Sequence, residues 1–147
     1  MGEATRMERS YTKENLKRAK QMLKEYKHAK VRTIAYPRKR PTLLKQMKVD
    51  LTDYEKCGIV DYDWDNCMKL NIDDCFFIDQ YVSDMETVWM VEKCISYIPD
   101  GKRKQIAEDA FIHGMSNADL EKKYGLKERS IQWQKDQVAR RIAEILV

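Results

Sequence analysis

Glycine and proline are scarce in this chain, with 5 and 3 residues among 147. Lys, Glu, Leu, Ile and Met are plentiful instead, and together these favour an all-α protein over a turn-rich one. Histidine is rarer still: only His28 and His113 occur. The four cysteines, Cys57, Cys67, Cys75 and Cys94, show no C-x-x-C or comparable ligand spacing. No metal site is therefore expected, and free thiols in a reducing compartment are. No apolar run approaches the ~20 residues of a membrane span. The segment MGEATRMERS lacks the apolar core of a signal peptide, and Arg6 stands where a myristoylation motif needs Ser or Thr. A cytoplasmic protein, nucleoid-associated in a bacterial host and bound to no membrane, is the expectation. With no nucleophile motif and no Gly-rich phosphate loop, nothing points to an enzyme or to a cofactor.

What the chain has in quantity is charge, at 35% of residues, distributed in blocks. Residues 1–49 hold 15 Lys and Arg against 4 Asp and Glu; residues 50–86 hold 2 against 11. Residues 87–147 are nearly balanced, at 11 against 9. A basic arm suits phosphates, and an acidic block suits a basic partner or the chain's own arm.

Apolar periodicity divides the chain. Leu16, Ala19, Leu23 and Tyr26 predict a basic helix from about Thr12 to about Ala35. Pro37 and Pro41 bracket Arg38, Lys39 and Arg40, which reads as a linker or exposed basic loop. Thr52 and Glu55 have capping-box spacing for a brief helix ending at Gly58. The stretch DYDWDN at 61–66 resembles a calcium loop only at its start. Asn66 replaces the turn glycine and Ile72 the terminal Glu, so a surface loop anchored by Tyr62 and Trp64 is expected. Asn71 can cap a long helix from about Asp73 to Ile98, with Ile78, Val82, Met85, Val88, Trp89 and Ile95 as its stripe. The run Val88–Val91 makes more than one face apolar, a sign of dimerisation. Pro99, Asp100 and Gly101 turn the chain into a helix from about Lys102 to His113, with Ile106, Ala110 and Phe111 inward.

The most informative run is SNADLEKKYGLKERSIQWQK, residues 116–135. Ser116 can cap a helix, with Asp119 three residues on. Gly125 ends that helix in a left-handed turn, and Leu126 can plug the turn into the core. A second helix carries Ile131, Val138, Ile142 and Ile145 on one side. This is a helix-turn-helix pattern, whose second helix enters the major groove of DNA. Stepping 100° per residue from Ile131 places Arg129 about 160°, Gln132 about 100°, Trp133 about 200° and Asp136 about 140° away. These residues face away from the core. Arg129 suits guanine and Gln132 suits adenine. Lys122, Lys123, Lys127 and Lys135 stand near the turn or on the second helix, where phosphates would lie. Arg38, Lys39 and Arg40 of the basic loop are further phosphate candidates.

The segment from Ile95 to Leu146 resembles region 4 of sigma-70-type factors. It has Ile98-Pro99 before the first helix, Gly114-Met115-Ser116 at its end, Gly125-Leu126-Lys127 in the turn and Ser130-Ile131 in the second helix. Glu121 stands where that family carries a small residue, and Lys127 replaces its usual Ser cap. The resemblance implies Glu128, Arg129, Gln132 and Trp133 as groove-facing residues. The basic first helix, with ENLKRAKQMLKEYKHAK at 14–30, is similar to phage late transcription activators of the ArpU and RinA type. The expected organisation is a basic helix, loop and acidic connector over 1–72, a connecting helix over 73–98 and a DNA-binding domain over 99–147. The expected role is a sequence-specific regulator of phage or prophage late genes. Double-stranded DNA is its partner, with bacterial RNA polymerase and a second copy of the chain as further partners. A polymerase-docking module and a small terminase subunit are the competing readings.

Overall fold

The computed structural model describes residues 11–146; the charged segment 1–10 and Val147 lie outside it. The described residues are helical apart from turns, loops and one isolated antiparallel bridge, Asp50 to Asp61. None of these helices is long and apolar enough to cross a membrane. The order is α1 (Lys13–Lys39), α2 (Pro41–Gln46), α3 (Tyr54–Cys57), α4 (Trp64–Cys67), α5 (Ile72–Ser96) and α6 (Lys102–Ala107). A π-helical turn, Glu108–Ile112, continues α6; α7 (Asn117–Tyr124) and α8 (Glu128–Ile145) follow. Two compact units emerge, one from residues 26–90 and one from residues 11–25 with 91–146. The long helices α1 and α5 contribute to both.

In the 26–90 unit, the end of α1 lies antiparallel to α5. Arg32 donates to both carboxylate oxygens of Asp84, at 2.7 and 2.9 Å, and Gln80 donates a third bond at 2.9 Å. Asp84 is buried, so this fork supplies the compensation that a buried carboxylate requires. Tyr36 meets Phe77 and Tyr81 edge-on, with ring centroids 4.9 and 5.8 Å away. Arg40 pairs with Asp74 and covers the Phe77 ring. Leu43 of α2, Met47 at the end of α2 and Cys67 of α4 are buried against Ile78. Val60 packs with Tyr81 and Met85. Tyr54 donates to the Met85 carbonyl, and the Trp89 indole N–H donates to that of Glu55.

Several local expectations change here. Pro37 lies inside α1 rather than in a loop. Its missing N–H falls in the last turn, the Arg40 N–H still bonds to the Tyr36 carbonyl, and the aromatic contacts of Tyr36 hold the turn. The break comes only at Arg40, because Pro41 disfavours a helical residue before it and itself starts α2. Thr52 does not cap α3: both its N–H and its hydroxyl donate to Asp50, and Asp53 holds the cap position. Trp64 is 60% exposed rather than anchored. Asp63 caps α4 by accepting from the Asn66 N–H, which leaves Cys67 as the inward residue and Trp64 outside. Asn71 does accept from the Asp74 N–H at the start of α5.

In the second unit, α6 and α7 both pack against α8. Ile106, Ala107, Leu120, Ile131, Val138, Ala139, Ile142 and Ala143 are buried. The π turn shifts the register after Ala107, so Ala110 and Phe111 are only half-buried. Ser116 caps α7 by accepting from the Asp119 N–H, and Gly125 ends it at φ +63°. Ile145 falls on the inward side of α8 yet is exposed, because it lies in the last turn beyond Ile142.

Candidate nucleic-acid interface

The site is one face of α8. Its opposite face is fixed by burial: Ile131 and Ile142 are fully covered and Val138 nearly so. Helical periodicity then turns Glu128, Arg129, Gln132 and Trp133 outward, and all four are exposed. Asp136 is half-buried beside them and accepts from the Gln132 amide at 3.1 Å. The Gln132 donor expected to reach a base edge is therefore already bonded to a neighbour. A base contact would have to exchange that partner.

Trp133 is the clearest case of a role the sequence could not assign. Its ring is half-exposed, and the Arg103 guanidinium sits 5.2 Å from its centroid. Arg103 also donates through Nε to the Gln134 side chain at 3.2 Å. The indole thus acts as a platform that holds a cation from α6 over the surface of α8. Arg103 joins Tyr11, Gln137, Arg140, Arg141 and Glu144 around an open cleft of about 370 Å³. Three arginines and a single glutamate line it, so its charge balance is cationic. Arg140 could have been found on the helical wheel, since it stands about 180° from Ile131. Arg103 gives no such signal, because its position depends on how α6 packs against α8.

The lysines divide. Lys122 and Lys127 are exposed. Lys123 is tied to Asp109 at 2.7 Å, and the Tyr124 hydroxyl donates to the same carboxylate oxygen. Those two donors hold the Asp109 carboxyl below its usual range. Lys135 is half-buried, donates to the Asn117 side chain and has its pKa lowered by burial. Its ammonium braces α7 on α8. In the 26–90 unit, Arg38 and Lys39 are exposed at the end of α1, while Arg40 is held by Asp74 and Phe77. The structure therefore places Lys122, Lys127, Arg38 and Lys39 in solvent, and gives Lys123, Lys135 and Arg40 partners within the protein.

Among the described residues, no group of three or more His, Cys, Asp or Glu side chains is arranged to hold a metal ion. All four cysteines are free thiols, and burial pushes Cys94 up to about 11, away from a reactive thiolate at neutral pH. Comparison with protein-family models, with curated proteins and with solved structures gives no match for this chain.

Proposed function

We propose that α7, the turn Gly125-Leu126-Lys127 and α8 form a helix-turn-helix, and that the protein is a sequence-specific DNA-binding transcription regulator rather than an enzyme. The observation that carries this is the two-sidedness of α8. One side is sealed by Ile131, Val138 and Ile142, and the other offers Arg129, Gln132, Trp133 and Arg140 to solvent. A helix of this kind suits insertion into a major groove. Arg129 would read guanine and Gln132, released from Asp136, adenine. The exposed Lys122 and Lys127, with the arginine cleft, would hold phosphates. The region-4 resemblance supports a finer reading, a phage or prophage late-gene activator.

Titration of duplex DNA at rising salt tests the proposal. Log affinity should fall linearly and steeply with log salt. Arg129→Ala should cost ~1–3 kcal/mol at one base pair of a selected site, and Lys122→Ala should weaken all sequences alike. Failure of a random duplex library to bind at low salt would sink the reading. The acidic Glu128 and Asp136 beside Trp133 favour one second reading, in which this face docks on RNA polymerase. Capture of host polymerase by the protein without DNA, lost in Trp133→Ala, would distinguish it.

A further inference from the structure

The 26–90 unit leaves two helix faces uncovered, and they are complementary. On α1, Val31 and Ile34 are 64% and 54% exposed. Lys27 and Arg38, one turn before and one turn after, share their stripe and are also exposed. On α5, Ile72 and Phe76 are 69% and 64% exposed, and the exposed Asp79 continues their stripe. Scattered apolar side chains on a surface need no explanation, but these occur in pairs at helical spacing. The α1 pair is flanked on both sides by cations, and the α5 pair is followed by the carboxylate of Asp79.

We propose that the protein pairs with a second copy of itself, the Val31/Ile34 face of one copy seating on the Ile72/Phe76 face of the other. The match is one of both hydrophobicity and charge. Apolar pairs spaced i, i+3 on α1 and i, i+4 on α5 meet, and Asp79 falls opposite a cation whichever way the helices run. It meets Lys27 if they run antiparallel and Arg38 if they run parallel. The α1 face set against its own copy would instead bring like charges together. Each copy carries both faces, and the contact made twice about a two-fold axis closes as a dimer. The pairing does not depend on whether the chain binds DNA.

Sedimentation velocity of the full chain across the micromolar range tests this. A two-copy mass is expected. Phe76→Glu and Val31→Glu should each weaken association on the order of tenfold or more. Both side chains are exposed, so helix content by circular dichroism should stay unchanged. An equal mixture of the two variants should regain association, since each supplies the face the other lacks. Asp79→Lys should weaken pairing, and adding Lys27→Glu or Arg38→Glu should restore it; the cation that restores it gives the helix direction. A one-copy mass for the native chain at every concentration would overturn the proposal. So would a two-copy mass that survives both Glu substitutions, or variants that fail to complement each other.

Discussion

Gly58 and Gly125 both adopt left-handed backbone, at φ +73° and +63°, but their surroundings differ. A Cβ on Gly125 would meet nothing within 4 Å, whereas one on Gly58 would stand 2.7 Å from the Trp89 ring. Gly125→Ala should therefore cost only the conformational penalty, about 1–2 kcal/mol. Gly58→Ala adds overpacking to that penalty, for about 2–4 kcal/mol in all. It must also push the indole away from the Glu55 carbonyl that it bonds. Urea unfolding of the two variants checks the order, and tryptophan emission should shift only for Gly58→Ala. Equal losses would show that the Trp89 contact yields freely. Both glycines are readable in the sequence as helix stops. The neighbour that separates them is not, because Trp89 reaches Gly58 only through the packing of α3 against α5.

At the scale of elements, what sequence reasoning captured was local and what it missed was tertiary. The caps at Asn71 and Ser116 and the stop at Gly125 need only residues within one turn, and they stand where expected. Pro37 forgoes one helical hydrogen bond, and the ring contacts of Tyr36 with the bond from the Arg40 N–H to the Tyr36 carbonyl hold the turn around it, none of which is local sequence information. Thr52 has capping spacing, but Asp50 competes successfully for its hydroxyl. The π turn has no sequence signature, and its lock to α7 is the Asp109 carboxylate with Lys123 and Tyr124. That lock makes stability pH-dependent. The folded carboxyl is held below its ordinary range, so its contribution is present above the unfolded value and is lost as acid carries the pH through the folded one. The same bond raises Lys123, whose contribution is present below its ordinary value and fades as alkali approaches the raised one. Asp109→Asn should lower the urea midpoint at neutral pH and flatten its fall on the acid side. A variant whose midpoint tracks the native chain from acid to neutral pH would deny Asp109 this role.

Across the whole molecule, the blocks of charge read from the sequence resolve into specific uses. Part of the basic arm is consumed internally: Arg32 by Asp84 and Arg40 by Asp74. The acidic block supplies those partners, and this is why a net count of +4 says little about any one face. The expected groove-facing residues of α8 do stand together in solvent, and a separate cationic site is the Arg103, Arg140 and Arg141 cleft. Helical periodicity marks Arg140 but not the cleft as a whole, because two of its arginines come from α8 and the third from α6. If the cleft holds a DNA phosphate, its guanidinium groups release counterions on binding, and their loss must appear in the salt dependence. Arg140→Ala with Arg141→Ala should shrink the slope of log affinity against log salt by about 2, roughly one per contact removed. Preference among DNA sequences should remain as in the native chain, since phosphate contacts carry no base identity. Arg129→Ala should do the reverse, blurring one base pair while removing no phosphate contact. The comparison therefore needs both variants, each titrated on a selected site and on random duplex. An unchanged slope in the double variant would remove the cleft from the DNA interface while leaving the reading of α8 intact.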